Sequence, residues 1–554
     1  MQNNHEVNVL HEKIFSRTVI LRTLTGFIFL ILIIRLYYLM AIKGESLSKA
    51  AESQNSTMVS VSSARNDILD RNMMSFTGVN KSDYAVVFST ENTKEDFKLC
   101  EVLEKYSNEN KYEIYSRLQL YKKTFVKAGN GFEEELEKYP NFSVISVSNR
   151  YLSDYPCAAL IGYLNDNRGA SGLEKVYDKV LSSSKSYGVK ARADALMRFI
   201  PGSSKEVIGG SLKTDKLKTT LDLDYCRIAE NVLKDKNLKA GVVLLDAKNF
   251  DVLAMASYPT FEPDNIGKYL NSEDGNLVNR CLSDYDMGSV FKIVVAAAAI
   301  EENLVDPDEM FECKGYCYIA NQKIDCHNIY GHKKLTFKEA FMNSCNPIFI
   351  EVGQRIGYEK IIEYAEKFGM GRKMLNPTAL AQSKGKLPDK SNYYLADVAN
   401  ISIGQGNLSG SALNGAIFSA IIANDGILKS INCVDSVVDS VGQKKRILRV
   451  EGKKRIISHK TAKIVKDMMV GTNLYGTGTT AYVETVGSGG KTGSAQTGWV
   501  VNGERYQHGW YTGFFPQDNP KFAMCVFVEN GKSGSETAAP IFKEIAEIIM
   551  NTMN

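Results

Sequence analysis

The sequence predicts an α+β fold carried on an N-terminal membrane helix. Three observations predict it. Residues 19–42 are strongly apolar, residues 43–215 alternate short strand-like runs with charged helical stretches, and residues 216–554 contain apolar strand pairs set among helices. A chain of 554 residues is long for one domain and suits about three at roughly 150 residues each. The predicted division is a tail at 1–18, a transmembrane anchor at 19–42, a first extracytoplasmic region at 43–215 and a larger domain at 216–554.

The apolar run is interrupted only by Arg22 and Arg35, and residues 23–34 carry no charge. A spanning helix needs about 20 residues, so Arg35 must snorkel or pair near an interface. A buried helix of a soluble domain is the alternative. Phe27-Ile-Phe-Leu-Ile-Leu-Ile-Ile34 has no amphipathic period, which favours lipid on all sides. Lys13, Arg17 and Arg22 precede the centre of the run and predict a cytoplasmic N-terminus. Tyr37 and Tyr38 suit the outer interface. No small-x-small cleavage site follows at once, so an uncleaved single-pass anchor is expected, with the rest of the chain outside the membrane.

The net charge of +4 is small for this length and gives no reason to expect nucleic acid as a partner. The ten cysteines are scattered, and Cys100, Cys157, Cys226, Cys281, Cys433 and Cys525 do not form a disulfide framework. They are expected to pack as small buried hydrophobes, a usage that suits a reducing or anaerobic habitat.

Within 43–215, Tyr84-Ala-Val-Val-Phe-Ser89 reads as a strand, and residues 95–106 and 132–138 as helices. No catalytic set is visible there. The larger domain opens at Leu217-Lys-Thr-Thr-Leu-Asp222, which leads into a helix through Lys234. Gly241-Val-Val-Leu-Leu-Asp246 and Val252-Leu-Ala-Met-Ala-Ser257 read as paired strands joined by a turn at 247–250. Gly288-Ser289 opens an apolar helix over 290–300. Residues 505–513 and 522–529 alternate like adjacent antiparallel strands, and 538–553 form a last amphipathic helix.

Three motifs then occur in order: Ser289-Val-Phe-Lys292, Ser344-Cys-Asn346 and Lys491-Thr-Gly493. Residues three apart at a helix start share a face. A serine hydroxyl needs a nearby base, and an amine can serve when burial and a second cation lower its pKa. Ser289 is therefore the expected nucleophile, Lys292 its base and Lys491 the second cation. The helix N-terminus directs the Ser289 N–H at a developing oxyanion. Ser344 and Asn346 taken alone read as a helix cap; their place between the other two motifs gives them a catalytic reading. Lys491-Thr-Gly493-Ser494 lies in Gly489-Gly-Lys-Thr-Gly-Ser-Ala-Gln-Thr-Gly498, a Gly-rich edge strand to which a substrate can add as a further strand. A phosphate-binding loop would need its first glycine at 485, which is Thr485.

With these motifs the chain resembles the class B penicillin-binding proteins, the membrane-anchored D,D-transpeptidases that cross-link peptidoglycan. The resemblance extends to Arg65-Asn-Asp-Ile-Leu-Asp-Arg-Asn72, Gly172-Leu-Glu174, Thr220-Leu-Asp222, Gly404-Gln-Gly406 and His508-Gly-Trp-Tyr-Thr-Gly513. Departures are Asn66 and Met73-Met74 where the family usually has glycine, and Met287 where it favours proline. The resemblance implies an elongated pedestal over 43–215, then a penicillin-binding transpeptidase domain with a central antiparallel sheet flanked by helices. It implies that Ser344 relays a proton to the leaving group and that Asn346 orients the lysine and the substrate. It further implies that Thr492, Gly493 and Ser494 bind the substrate, Thr492 and Ser494 at its terminal carboxylate, and that the Ser494 N–H is the second oxyanion donor. Expected partners are peptidoglycan stem peptides, β-lactams and a membrane glycosyltransferase of the shape, elongation, division and sporulation family.

Cys313, Cys326, His332 and Cys345 have the spacing C-x12-C-x5-H-x12-C. Three thiols and an imidazole are a tetrahedral zinc set, and some elongation-type relatives resemble this with an Asp, Cys and His site beside the active serine. A structural zinc is expected, with no cofactor needed for catalysis. Disulfides or free buried thiols stay open as alternatives, and Cys317 and His327 are spare ligands. A turn at Asn321-Gln322 would set Cys317 opposite Cys326.

The leading function is a monofunctional D,D-transpeptidase of elongation or sporulation type. A carboxypeptidase or β-lactamase would pass the acyl group to water; the anchor and large first region disfavour the lactamase. A scaffold for a glycosyltransferase would not need the complete motif set. A β-lactam sensor would need a cytoplasmic signalling segment longer than this tail.

Overall fold

A computed structural model describes residues 2–78, 81–129, 131–152, 154–209, 215–319, 321–391, 393–501 and 504–553. They form two compact units, one of Met1–Ser63, Ser82–Val147 and Lys185–Gly210, the other of Ala64–Lys81, Ser148–Ser184 and Ser211–Asn554.

The first unit opens on one continuous helix, Gln2–Tyr37. The segment Lys13–Ile42 is long and apolar enough to cross a membrane. Its apolar side chains from Phe27 to Ile34 are all exposed, as a lipid-facing helix requires. The predicted tail is thus helical and runs into the predicted anchor without a break. Further along, Lys81–Phe88 lies between Lys123–Lys127 and Phe142–Ser148 in a three-stranded sheet. Two helices, Thr93–Tyr106 and Lys111–Tyr121, are capped by the side chains of Asn92 and Asn110. They bury Leu99, Leu103, Ile114 and Leu118 in this unit's core with Ala85 and Val87 of the central strand.

The second unit is built on a five-stranded antiparallel sheet. Its order is Val252–Tyr258, Ala240–Asp246, Phe522–Val528, Glu504–Phe515 and Gly489–Val501. Side chains alternate faces along a strand. Accordingly Thr512 donates to the Gly415 carbonyl at 2.7 Å, in the helix Ala412–Ala423, while Tyr511 packs on Phe542 at 4.6 Å, in the helix Ala539–Thr552. Helices therefore cover both faces, and every residue of the middle strand Phe522–Val528 is buried. The helix Lys292–Glu301 runs through this core with Lys292 and every residue to Ile300 buried, which its all-apolar sequence after Lys292 permits.

Residues 64–81 and 148–184, assigned by the linear reading to the first region, belong to the second unit. Ile68–Leu69 pairs in parallel with Lys216–Thr219. Arg65 reaches both Glu174 and Asp178 at 2.9 Å, and Arg150 reaches Glu174 at 2.7 Å. The pairings of Arg65 and of Ile68 span more than a hundred residues of chain and leave no compositional boundary. Met73, which replaces a family glycine, has φ +70, the backbone region where glycine has no steric cost.

Candidate active site

Ser289 sits in a 3-10 turn, Gly288–Phe291, which runs directly into the α-helix that Lys292 begins. In a 3-10 turn positions i and i+3 eclipse, so the two side chains still share a face. The turn is fixed by close backbone contacts. Gly288 has φ +55, and a Cβ there would come 2.9 Å from the Ser494 carbonyl oxygen. Its N–H donates to the Gly404 carbonyl at 2.9 Å, and a Cβ on Gly404 would fall 2.0 Å from the Gly288 oxygen.

Ser344-Cys345-Asn346 joins two helices, Phe337–Met342 and Asn346–Ile356. A capping box between Thr336 and Glu339 starts the first, and Pro347 at the start of the second fixes its direction. Between them Ser344 takes φ +53, which turns its carbonyl and side chain to the buried amine. Lys292 Nζ donates to the Ser344 carbonyl at 2.8 Å, to Asn346 Oδ1 at 2.7 Å and to Ser344 Oγ at 3.3 Å. The amine's polar contacts thus run to the second motif, while Ser289 stands half-buried beside them.

Neither buried lysine has a carboxylate ion partner among the described residues. Burial pulls the Lys292 pKa down to about 7, against a small opposing pull from the Cys345 and Cys326 thiols. Burial also takes Lys491 well below its usual value, and the neighbouring Lys292 charge adds to the fall. The expected lowering of Lys292 by Lys491 is replaced by burial, and the effect between the two lysines falls on Lys491. Aromatic rings take the place of counter-ions: Lys292 lies 5.1 Å from the Phe349 ring centre and Lys491 5.7 Å from that of Phe341.

The third motif lies on the edge strand, with Lys491 opposite Thr512, Gly493 opposite Trp510 and Ser494 opposite Gly509. Its glycine also has a role inside the fold. A Cβ on Gly493 would meet the Met287 carbonyl and Val290 at 3.1 Å, so this glycine admits the Ser289 turn itself. Ser494 Oγ accepts from the Gly534 N–H at 3.2 Å. The Thr492 hydroxyl lies 2.6 Å from that of Thr477, a residue the sequence reading did not single out; its only local signal is the flanking Gly476 and Gly478.

The ligand atoms of Cys313, Cys326, His332 and Cys345 all lie within 4.8 Å of one another, with the three cysteines buried. Cys326 Sγ is 3.5 Å from His332 Nδ1 and 3.9 Å from His327 Nδ1. None of the ten cysteines is in a disulfide. Cys317 does not face Cys326 as expected: the hairpin pairs Ile319 with Gln322, so Cys317 stands opposite Ile324, and Cys326 N–H bonds the Gly315 carbonyl at 2.8 Å.

Residues 240–547 match the family described as penicillin binding protein transpeptidase domain. The chain is 29% identical over 548 residues to stage V sporulation protein D of Bacillus subtilis, covering 94% of this chain and 83% of that one. It is 31% identical over 456 residues to penicillin-binding protein PbpB of Mycolicibacterium smegmatis, covering 76% and 67%. Among solved structures, a chain from a peptidoglycan synthase complex that coordinates polymerization and crosslinking aligns with a TM-score of 0.71 at 22% identity, covering 96% of this chain and 97% of that one. The antiparallel sheet, the buried lysine pair and these matches lead to one conclusion: the chain belongs to the penicillin binding protein transpeptidase domain family.

Proposed function

We propose that this protein is a membrane-anchored serine D,D-transpeptidase that cross-links peptidoglycan stem peptides through an acyl-enzyme on Ser289. The convergence of Lys292 Nζ on Ser344 and Asn346 carries this reading. It holds an amine of pKa about 7 one helical turn from a serine, where it can be neutral and accept a proton at neutral pH. Lys292 takes the Ser289 proton as Oγ attacks the carbonyl of the penultimate D-alanine. The Ser289 and Ser494 N–H groups receive the oxyanion. The C–N bond to the terminal D-alanine then breaks, and its nitrogen leaves with a proton relayed through Ser344. An amine from a neighbouring strand attacks the ester and restores Ser289. Thr492 and Ser494 hold the terminal carboxylate, with Lys491 as the nearby cation. β-Lactams acylate the same serine.

Lys13, Arg17 and Arg22 support a cytoplasmic N-terminus, and in this reading the second unit lies on the extracytoplasmic side. The expected partner is a multi-span glycosyltransferase of the shape, elongation, division and sporulation family, because no glycan-polymerising motif accompanies the transpeptidase set. The buried three-thiol, one-imidazole cluster fits a structural zinc. Zinc on Cys313, Cys326, His332 and Cys345 would tie the 313–332 hairpins to the Ser344–Asn346 junction and supply folding energy, not chemistry.

The test is intact mass of the detergent-solubilised full chain after exposure to benzylpenicillin, with Ser289→Ala beside it. One adduct, lost in the variant, is expected. A folded wild-type chain that forms no adduct sinks the transpeptidase reading. A native mass without one zinc per chain sinks the metal reading.

A further inference from the structure

Thr477 links the third motif to the end of the helix that leads into the second. Its N–H donates to the Met342 carbonyl at 3.1 Å, two residues ahead of Ser344. Its hydroxyl lies 2.6 Å from the Thr492 hydroxyl; the competing acceptor for its one proton is the Met342 carbonyl, at 3.5 Å, an oxygen that already accepts from the Thr477 N–H. Either threonine can donate across the short contact, and a hydroxyl has one proton and two acceptor sites.

The loop carrying Thr477 is held tightly. A Cβ on Gly476 would fall 2.3 Å from the Met342 oxygen, and one on Gly478 2.5 Å from Asn473 Oδ1. The Gly476 and Gly478 N–H groups both bond the Thr472 carbonyl, at 3.1 and 3.0 Å. Asn473 is itself fixed, donating to Ser488 Oγ at 2.9 Å and accepting from the Tyr511 hydroxyl at 2.8 Å. Tyr511 lies opposite Thr492 across the strand pair. Few backbone positions are open to Thr477, so its hydroxyl stays at Thr492.

We propose that Thr477 is a positioning residue for the terminal carboxylate: its hydroxyl donates to Thr492 Oγ1 and leaves the Thr492 proton directed at the substrate. A carboxylate only accepts. If Thr492 donated to Thr477 instead, the site would present a lone pair to an anion and lose the contact. With Thr477 as donor, two hydroxyls line up in one direction and the outer one is polarised. This inference rests on the reading of Thr492 as a carboxylate-binding residue.

The experiment is stopped-flow acylation of the full-length protein by benzylpenicillin, which carries a free carboxylate. It separates the dissociation constant of the initial complex from the acylation rate constant. The variants are Thr477→Val, Thr477→Ser, Thr492→Val and the Thr477→Val, Thr492→Val double substitution. Thr477→Val is expected to raise the dissociation constant at least roughly tenfold with the rate constant within about twofold, since a lost hydrogen bond to a charged group is worth at least about that much. Thr477→Ser should restore it, and the double variant should be no weaker than Thr492→Val alone. An unchanged dissociation constant in Thr477→Val beside a weakened Thr492→Val overturns the inference and leaves the Thr492 reading standing. Additive effects, or a loss of acylation rate that serine does not restore, reduce Thr477 to a structural residue and also overturn it. A Thr492→Val variant with unchanged binding removes the carboxylate reading itself, and the inference with it.

Discussion

Lys292 Nζ lies 2.7 Å from Asn346 Oδ1, so the buried amine is held by a neutral acceptor where an ordinary ion pair would place a carboxylate. An amide leaves the amine free to lose its charge; a carboxylate would hold the proton on it.

The pH dependence follows from that contact. A general base must be neutral, so β-lactam acylation should be slow in acid, rise through about pH 7 with Lys292 and level off above. In Asn346→Asp the new anion raises the Lys292 pKa. The rise should move alkaline by at least about one unit, and acylation at pH 7 should fall at least roughly fivefold. Rates measured from pH 5 to 10 check both; a midpoint shared by wild type and variant refutes the assignment of Lys292 as base.

Gly404 supports the Ser289 turn from behind. It has φ +73, and an added Cβ would strike the Gly288 oxygen at 2.0 Å. Gly404→Ala should cost about 1–2 kcal/mol for the left-handed backbone alone and should displace Gly288. The expected result is a lower melting temperature and acylation reduced at least roughly 100-fold. Gly267→Ala, where a Cβ meets nothing within 4 Å, serves as the control and should acylate normally. Normal acylation in Gly404→Ala would show that the turn does not depend on this contact.

Glu230 makes stability depend on pH. Its carboxylate accepts from the Cys157 N–H at 2.8 Å, but burial outweighs this bond, and with the Asp154 charge pushes the pKa up to about 8. The native state therefore keeps a proton that the unfolded chain releases above the ordinary carboxylate value of 4.5. Its contribution to stability is fully present below that value, falls as pH rises to about 8 and is flat beyond. Glu230→Gln should shrink the difference in melting temperature between pH 5 and pH 8. An undiminished difference assigns the slope to other groups.

Metal removal should act through the Ser344–Asn346 junction, because Cys345 lies between the two residues that hold Lys292. Dialysis of the zinc-loaded chain against a strong chelator should lower the melting temperature by several degrees and slow acylation, with both restored by zinc. Cys313→Ser should weaken zinc binding without touching the Lys292 contacts. Chelation that leaves both quantities unchanged argues for free thiols at this cluster.

Much of the site was legible because its chemistry is local. Lys292 follows Ser289 by three residues, and Asn346 follows Ser344 by two, so short-range geometry already sets their relation. The strand pair Ala240–Asp246 and Val252–Tyr258 was legible for the same reason, through apolar runs and a short turn. The Cys317 pairing was not: shifting the closing pair to Ile319 and Gln322 moves every partner, and the local residues set no preference between the two registers. Gly493 shows a related gap. Its sequence says that something approaches the backbone, and only the fold says that it is Met287 and Val290.

By itself the sequence determined the membrane helix, the order of the three motifs and the chemistry each residue type can perform, since apolar length, spacing and functional groups are carried by the chain alone. The tertiary structure decided what those groups experience. It buried Lys292 and Lys491 with no carboxylate partner among the described residues, brought Thr477 to Thr492, and joined residues 64–81 and 148–184 to the second unit. Burial, register and long-range pairing arise from contacts between residues far apart in the chain, and their free energies exist only once those residues meet.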